Sequence, residues 1–431
     1  MRDSGIEWIG KIPNSWKVER LQWHLDEVKE SNDPIMTTQI LSLTNKLGVI
    51  LYEEKGEQGN KAKEKLEDYK LAYPNTIVAN SMNILIGSVG KCDYFGCVSP
   101  VYYVFKPRFG ENIDFYNYIF QTSQFQKELR KYANGILEIR LRVSANNILK
   151  RKVAVPVLDI QNKIVDFLNT KCNEIDDLIA LENLQIDKLK EYKQTIINDT
   201  VIKGLNKKTK FIECKDSWIK EMPCDWQLVP IKSLFTTCKG LPITKENLIE
   251  NGVRVISYGQ IHAKYNKIVT INDDMYRFVS DKYLISNPEC LVEKGDFIFA
   301  DTSEDVTGSG DFVYIDNDNV IFAGYHCLVL KAKNKNNNKY LAYLFMSQLW
   351  KNQIQSKVTG VKLFSISKTI LLSTTILLPP TDIQKEIVKY LDQKIIEIDE
   401  LINVKQNKIK KLNEYKRSVI YEYVTGKKEV V

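Results

Sequence analysis

A long segment of this chain occurs twice. Residues 155–202 align without a gap to residues 378–425, and 21 of the 48 paired positions are identical. A tryptophan-bounded stretch at 8–16 likewise returns at 218–226, whereas the residues between each stretch and its long segment show no such likeness. Each half of the chain is therefore a variable body followed by a constant segment. That organisation suits a protein that reads two different targets at a fixed separation.

The constant segment has the pattern of a long α-helix. Each copy opens with a proline and then an aspartate, Asp159 or Asp382, and an aspartate there is typical of a helix N-cap. Apolar residues then recur at spacings of three, four and seven for about 40 residues without glycine or proline, which predicts helices roughly 60 Å long. Two equal helices in one chain most simply pair with each other, so we expect an antiparallel coiled coil. The predicted seam consists of Ile164, Leu168, Ile175, Leu178, Ile179, Ile186, Leu189, Tyr192 and Ile196, with Ile387, Leu391, Ile398, Leu401, Ile402, Ile409, Leu412, Tyr415 and Val419 in the second copy.

Both variable bodies have the pattern of α+β domains. Each shows short β-like runs bounded by turn residues and one helical stretch, at 115–132 in the first body and at 340–355 in the second. The predicted fold is α+β, with two pseudo-twofold-related α+β domains separated by an antiparallel coiled coil of two long helices. The predicted segments are domain 1 (1–158), long helix 1 (159–205), a linker (206–216), domain 2 (217–380) and long helix 2 (381–427).

Charge and cysteine usage narrow the class of protein. The net charge is +7, while residues 159–205 carry −3 and residues 382–428 carry +3, so the excess belongs to the bodies and the linker and leans towards a polyanionic partner. The eight cysteines form no CxxC pair and only three histidines exist, so we expect no metal site and reduced thiols. The first ten residues lack an apolar signal core and no stretch is apolar enough to span a bilayer, so we expect a cytoplasmic protein with no membrane partner.

At the repeated residues the chain resembles the DNA-specificity subunit of a type I restriction–modification system. The matching motifs are W-I-G-x-I-P-x-x-W at 8–16, its echo W-I-x-x-M-P-x-x-W at 218–226, and the doubled helix motif P-x-x-D-I-Q-x-x-I-V. The resemblance covers essentially the entire chain, and its helix motif occurs twice at the expected positions.

The resemblance implies a function for each part. The two bodies would be target-recognition domains, each reading one half of a bipartite site in double-stranded DNA. Because the bodies differ, that site should be asymmetric. The helices would set the spacer and dock two modification subunits, which methylate adenine, and restriction subunits with motor and nuclease activity would join them. No catalytic group, metal or cofactor is expected in this chain, and S-adenosylmethionine, ATP and Mg are expected on the partner subunits.

Three kinds of segment carry the candidate DNA contacts, one of which follows the early strand of each body and contains Asn45 and Lys46 with Gln260 and His262 as possible counterparts. The other two are loops. A glycine-containing loop precedes the last strand of each body, and the resemblance places it on the DNA-facing side. A second loop, rich in amides and hydroxyls that can pair with base edges, is at 80–94, with its counterpart at 301–310. An ordinary surface loop or hairpin turn is the alternative for both. The candidate DNA-binding residues are Asn45, Lys46, Asn80, Ser81, Asn83, Ser88, Lys91, Tyr94, Arg140, Arg142, Gln260, His262, Thr302, Ser303, Lys357 and Lys362.

Polar residues that are identical in both helix copies are candidates for partner docking. Equivalent surfaces bind equivalent proteins, so Gln161 and Glu191, with Gln384 and Glu414 in the second copy, are the candidate docking residues. The alternative is that they cap the helices or pack along the seam.

Enzymatic alternatives find little support in the sequence. The Pro-Pro pair at 379–380 introduces a helix and is not the Asn/Asp-Pro-Pro-aromatic element of an adenine methyltransferase. The Glu-Tyr-Lys at 191–193 and 414–416 resembles a nuclease motif but lies within long predicted helices. A stand-alone bivalent DNA-binding or architectural protein without enzymatic partners remains the alternative function.

Overall fold

The structure is a computed structural model that describes residues 1–44, 48–56, 65–134, 141–206, 208–214, 216, 218–263, 266, 271, 273–334, 338–360 and 362–430. The chain forms two compact units. Unit 1 contains Met1–Asn183 together with Lys405–Val431, and unit 2 contains Leu184–Val404. Each unit therefore combines a variable body with parts of both long helices.

In unit 1 the strands are short, and a long helix follows the last of them. The strands are β1 (Arg2–Asp3), β2 (Lys11–Ile12), β3 (Lys17–Arg20), β4 (Leu25–Val28), β5 (Leu41–Thr44), β6 (Gly48–Leu51), β7 (Lys70–Ala72), β8 (Thr76–Asn80), β9 (Val89–Cys92), β10 (Gly96–Val98), β11 (Tyr102–Pro107) and β12 (Lys152–Val155). The helices are α1 (Ile113–Gln121), α2 (Ser123–Arg130), α3 (Ala145–Leu149) and α4 (Leu158–Lys203), the last of which continues into unit 2.

Unit 2 repeats this order with an added sheet. Its strands are β13 (Phe211–Glu213), β14 (Glu221–Pro223), β15 (Gln227–Pro230), β16 (Phe235–Lys239), β17 (Val253–Ile256), β18 (Arg277–Val279), β19 (Leu291–Val292), β20 (Phe297–Ala300), β21 (Thr302–Ser303), β22 (Phe312–Tyr314), β23 (Ile321–Ala323), β24 (Cys327–Ala332), β25 (Phe364–Ser365) and β26 (Thr375–Leu378). Its helices are α5 (Ile231–Leu234), α6 (Tyr258–Ile261), α7 (Tyr283–Ser286), α8 (Lys339–Met346), α9 (Gln348–Gln355), α10 (Lys368–Leu372) and α11 (Thr381–Val424), whose end lies in unit 1.

The central sheet has the same layout in both units. In unit 1 the order is β4-β11-β8-β9 and in unit 2 it is β16-β24-β20-β22, all antiparallel. Buried β-branched residues such as Val104 and Val78 face each other across its central strands, as expected for a sheet packed within a core. Unit 2 adds a sheet of order β18-β17-β23-β19, in which β17 and β23 run parallel.

A two-stranded ladder closes each body just before its long helix. In unit 1, β3 near the start of the body pairs with β12 at its end, and in unit 2 β15 pairs with β26 in the same antiparallel manner. Since β12 ends at Val155 and α4 begins at Leu158, the ladder fixes where the helix leaves the body.

The sequence predicts one continuous helix over 115–132 and one over 340–355, and both predictions are wrong at one point. Each is a pair of helices that meet at Thr122 or Ser347. The Thr122 hydroxyl donates to Ile119 O (2.8 Å) and accepts from Phe125 N (3.3 Å), and Ser347 makes the same two contacts. Hydroxyl side chains compete in this way with the helical hydrogen bonds of the backbone, so they end one helix and cap the next.

In unit 1 the start of α4 pairs with the end of α11. Apolar residues of both helices, such as Leu168 and Val424, share one core cluster with the body. Lys416 binds Asp176 (2.6 Å) and Lys408 binds the buried Glu182 (2.6 Å). Because the residue number of the α11 partner decreases as the residue number along α4 increases, the two helices are antiparallel.

In unit 2 the end of α4 pairs with the start of α11. Val201 of α4 and Leu391 of α11 belong to one core cluster with the body, and Lys193 binds Asp399 (2.8 Å). The predicted α+β class with antiparallel pairing of two long helices is therefore confirmed. The functional division into five segments stays a prediction, and the compact units cut each long helix, after Asn183 and after Val404.

The predicted helix seam is wrong at several positions. Leu178 and Tyr192, and their repeat equivalents Leu401 and Tyr415, are exposed. A single helical partner covers only a narrow stripe, so apolar residues that are adjacent to that stripe are left uncovered.

We predict that Leu168→Ala destabilises unit 1 by about 2–5 kcal/mol, because the fully buried side chain leaves a cavity. The control Leu178→Ala should change the unfolding free energy by less than about 0.5 kcal/mol, since its side chain is exposed. Denaturant unfolding followed by circular dichroism, with hydrogen exchange of α4, measures both. Equal effects of the two substitutions would contradict this packing.

Candidate nucleic-acid interface

In unit 1 the two predicted DNA-facing loops lie side by side. The loop that follows β8 and the segment at 141–143 are joined by a backbone hydrogen bond from Val143 N to Ser81 O (3.2 Å). Arg142 Nη2 lies 3.6 Å from Met82 Sδ, and Arg142 also forms a backbone bridge with Asn134. The fold therefore brings residues about 60 positions apart to one edge of the body.

Unit 2 joins its two loops by the same bond. Ile366 N donates to Asp301 O (2.8 Å), and β21 pairs with β25, so that Thr302 faces Ser365 and Ser303 faces Phe364. The sequence predicts these loops separately in each body. Their equivalent pairing makes them one surface per unit, which we call the loop surface.

The candidates of unit 1 differ in their access to a ligand. Asn45, Lys46 and Arg140 lie outside the described residues. Asn83, Tyr94 and Arg142 are exposed. The side chains of Asn80, Ser81 and Ser88 are buried, and Asn80 Oδ1 accepts a hydrogen bond from Met82 N (3.0 Å). Since an asparagine that bonds two residues along the chain builds a turn, we infer that Asn80 shapes the loop and does not read bases from it.

Lys91 is engaged by carboxylates of its own unit. Its ammonium lies 2.9 Å from Asp114 and 3.7 Å from Asp93. Partial burial opposes the charge of Lys91, but the hydrogen bond to Asp114 and the nearby negative charges raise its pKa. Because its charge is already balanced, Lys91 has less to offer a phosphate than the exposed Arg142 has.

In unit 2 several candidates meet at one point. His262 Nε2 lies 2.8 Å from Thr302 O, and its Nδ1 lies 3.3 Å from Asp311, which also binds Lys351 (2.6 Å). Ser303 is buried and accepts a hydrogen bond from Asp305 N. His262 therefore holds the loop that contains Thr302 against the body.

The remaining candidate DNA-binding residues of unit 2 also differ in whether they bond within the protein or are exposed to a ligand. Gln260 accepts a hydrogen bond from Ser257 N (3.1 Å) and so caps α6. Lys357 is exposed and donates to Ser373 Oγ (2.8 Å). Lys362 is exposed, and no hydrogen bond or ion pair to it occurs within the described part of the chain. Arg142 and Lys362 are thus the cations best placed to contact a phosphate or a base.

Sequence reasoning missed the apolar residues of the loop surfaces. Ile86 and Val306 are exposed within the amide- and hydroxyl-rich loops, and Leu363 is exposed beside Lys362. These residues could have been found in the sequence, because each is a branched aliphatic residue within an otherwise polar, glycine-containing loop. Such side chains can contact a thymine methyl group.

The docking candidates on the helices also differ. Gln161 is buried and bonds to Glu111, Pro156 and Asn112, which favours the packing interpretation for it. Gln384 donates to Pro379 O (2.8 Å), whereas Glu191 and Glu414 are exposed. Exposed apolar residues occur at three pairs of repeat-equivalent helix positions, which are Leu178 with Leu401, Leu181 with Val404, and Tyr192 with Tyr415. The exposed Leu184 and Ile396 have asparagine at the equivalent positions.

The described residues contain no group of three or more His, Cys, Asp or Glu side chains placed to hold a metal ion. Their helices are all too polar or too short to cross a bilayer.

Comparison with known proteins agrees with this architecture. Residues 223–411 match the Type I restriction modification DNA specificity domain. The type I restriction enzyme MjaVIII specificity subunit of Methanocaldococcus jannaschii is 25% identical over 279 residues, which span 64% of this chain and 62% of that protein. The putative type I restriction enzyme MjaX specificity subunit of the same organism is 25% identical over 97% of this chain and 95% of its own length.

Solved structures show the same fold. A chain from a study of complex assembly and conformational transition of the type I R-M system superposes with a TM-score of 0.72 at 13% identity, covering 96% of this chain and 98% of that one. The HsdS subunit from Thermoanaerobacter tengcongensis superposes with a TM-score of 0.54 at 13% identity over 99% and 100%. The chain thus has the fold of a specificity subunit. Residues 223–411 carry a type I restriction modification DNA specificity domain, and the chain is similar to specificity subunits of type I restriction enzymes over most of its length.

We predict a pH-dependent stabilisation of unit 2 by His262. The hydrogen bond to Asp311 raises the pKa of His262, and although burial opposes ionisation of Asp311, His262 and Lys351 lower the pKa of that carboxyl. A histidine with a raised folded pKa contributes stability that is fully present below its unfolded pKa of about 6.5 and is lost as pH rises through the folded value.

The test compares the melting temperature of wild type with that of His262→Gln between pH 5 and 9. The difference should be largest at the acid end, where Asp311 is still ionised, and should shrink as pH rises. A matched control is His326→Gln, whose exposed ring lies 3.2 Å from Asp301. A difference for His262→Gln that stays constant with pH would contradict the prediction.

Proposed function

We propose that this chain recognises a bipartite, asymmetric site in double-stranded DNA as the specificity subunit of a type I restriction–modification complex. The observation that carries the proposal is the equivalent loop surface in the two units. The same backbone bond, Val143 to Ser81 and Ile366 to Asp301, joins the loops, while the side chains that they present differ. One scaffold that carries two unlike sets of side chains suits two unlike half-sites.

The exposed residues indicate how each half-site is read. Unit 1 offers Arg142 and Asn83, and unit 2 offers Lys362 and Lys357. Arginine and lysine can bind guanine or phosphate, and an asparagine can bind adenine through both of its side-chain polar atoms. The positive excess of the bodies adds attraction that does not depend on sequence.

The helices supply the proposed contact with two modification subunits. Apolar residues are exposed at matching positions of both helix copies, and exposed apolar groups of this kind mark surfaces that another protein covers. This repetition favours an assembly with two identical partners over the stand-alone architectural protein. The partners, with a restriction subunit, would bind S-adenosylmethionine, ATP and Mg and carry out methylation and cleavage, while this chain supplies recognition and no catalytic group.

We predict that Arg142→Gln and Lys362→Gln each impair one half-site only. Removing a base contact should weaken binding by about 1–3 kcal/mol and relax the sequence preference at one position. Removing a phosphate contact should weaken binding to all sites alike and lower the salt slope by about 0.9. Titration of labelled duplexes with either half-site randomised distinguishes these outcomes. The control is Arg108→Gln, an exposed arginine bound to Asp26 and remote in sequence from both loops.

We also predict that exchanging residues 1–150 for the body of another specificity subunit changes one half-site of the methylated sequence. The other half-site should remain, because unit 2 keeps its own loop surface. Methylome sequencing of cells that express the hybrid with its partner subunits reads both half-sites. A change in both halves would refute the modular recognition proposed here.

A further inference from the structure

Unit 1 carries an exposed apolar and cationic surface where its long helix begins. We call it the helix-entry patch and define it by Arg20, Trp23, Phe109, Lys152, Val157 and Leu158. Phe109 is fully exposed, and the exposed fractions of Trp23, Val157 and Leu158 are 53%, 67% and 40%. A soluble protein rarely leaves several large apolar side chains exposed together without a partner.

The backbone brings these residues together. Arg108 N donates to His24 O (2.8 Å), which continues the pairing of β4 with β11 and places Trp23 and Phe109 at the next facing positions. Gln161 Nε2 donates both to Glu111 and to Pro156 O. The turn that contains Phe109 is thereby held against the start of α4, next to Val157.

The two cations of the patch face each other. Arg20 and Lys152 are directly opposite in the ladder of β3 and β12, and both are exposed. Like charges at facing positions destabilise a strand pair. Among the described residues, neither side chain has a carboxylate within ion-pair distance. An incoming carboxylate would therefore relieve a repulsion that the isolated chain retains.

Unit 2 lacks this patch at the equivalent place. Lys333 N donates to Leu234 O (2.9 Å) and Gln384 donates to Pro379 O (2.8 Å), which match the two bonds of unit 1 and fix the correspondence. No charged or large apolar residue occupies any of the six positions there, which are Pro230, Ser233, Asn334, Thr375, Pro380 and Thr381.

A groove occupies the corresponding region of unit 2. Its volume is about 1070 Å³, and it is lined by Ser233, Leu234 and Asn334 of the body together with the first turns of α11. The same partner surface would therefore meet an apolar projection with two cations in unit 1, and in unit 2 a groove whose lining includes Lys385, Asp392 and Glu397.

We propose that the helix-entry patch docks a protein surface that presents apolar side chains and carboxylates, and that one of the two modification subunits provides it. This inference rests on the proposed function for the identity of the partner. Because the patch occurs in one unit only, two identical subunits are held unequally, and the subunit at unit 1 binds first.

Other occupants fit the patch less well. DNA phosphates would pair with Arg20 and Lys152 but would leave four large apolar side chains uncovered. A second copy of this chain would need free carboxylates beside an apolar groove. The carboxylates in the unit 2 groove, Asp392 and Glu397, already bind Lys339 and Lys394.

The experiment titrates the purified full-length chain with the modification subunit from the same locus and follows stoichiometry by native mass spectrometry and affinity by calorimetry. Wild type should bind two subunits in two steps of unequal affinity. The variant Trp23→Ser with Phe109→Asn installs the residues that unit 2 carries, and should weaken the tighter step at least tenfold so that the two steps merge. The matched control is Ile285→Ser, which removes an exposed apolar residue of unit 2 outside the groove.

A second variant, Arg20→Gln with Lys152→Gln, tests the charges without altering the apolar residues. It should weaken the same step and should reduce its dependence on salt. Thermal melting of both variants checks that unit 1 remains folded.

The outcomes separate the two proposals. If wild type binds no modification subunit, the proposed function fails. If wild type binds two subunits and the patch variants bind them as wild type does, this inference fails alone. Variants that change only DNA affinity, or only the self-association of the chain in sedimentation, would assign the patch to DNA or to a second copy and would also overturn it.

Discussion

The architecture depends on the burial of both ends of each long helix in two different cores. The start of α4 buries Leu168 in unit 1 and its end buries Val201 in unit 2, while α11 does the reverse with Leu391 and Val424. A fully buried leucine or valine contributes about 1.5–3 kcal/mol, so these contacts anchor helices whose middle parts have only a narrow apolar seam. Each body is therefore completed by the end of the helix from the other half of the chain, and neither half of the sequence has a whole core of its own.

The two units build the same helix entry with different chemistry. In unit 1, Glu111 bonds to His24 (2.6 Å), Tyr116 and Gln161, and although burial opposes its ionisation these hydrogen bonds lower its pKa. In unit 2, Leu234 and Leu341 occupy the positions of His24 and Tyr116, so these hydrogen bonds have no counterpart from those two positions. Tyr343 donates to Asp392, which also accepts from Lys339, where Tyr118 donates to Asn169 in unit 1. Different residues thus satisfy one geometry, which explains why the bodies share a fold without a visible sequence repeat.

The parts that could be predicted from sequence are those where one local signal dominates. The helix starts follow from the proline and the aspartate, and α4 and α11 begin within a residue of the predicted positions. The predicted N-cap role is wrong, because Asp159 and Asp382 lie in the first helical turn, where a carboxylate still favours the helix dipole. The helix breaks at Thr122 and Ser347 were not predicted, because a hydroxyl residue can either lie within a helix or cap one, and tertiary packing determines which of the two occurs. The exposure of Leu178 and Tyr192 was not predicted, because periodicity identifies the apolar stripe of a helix but not how much of that stripe a partner helix covers. For the loop surfaces, composition indicated the segments, but burial of Asn80 and Ser88 depends on turn geometry that composition does not determine.

The loop surfaces differ most in charge. Residues 80–94 of unit 1 contain one carboxylate, Asp93, which lies 3.7 Å from Lys91, whereas residues 301–311 of unit 2 contain Asp301, Glu304, Asp305 and Asp311. Asp301 contacts His326, and Asp305 contacts Thr307 and Gly308. Asp311 contacts His262 and Lys351, whereas Glu304 is exposed. A carboxylate repels phosphates but can accept a hydrogen bond from the amino group of cytosine. If both surfaces bind DNA as proposed, unit 1 gains more from the backbone and unit 2 depends more on base edges, so the two half-sites differ in their response to salt as well as in sequence.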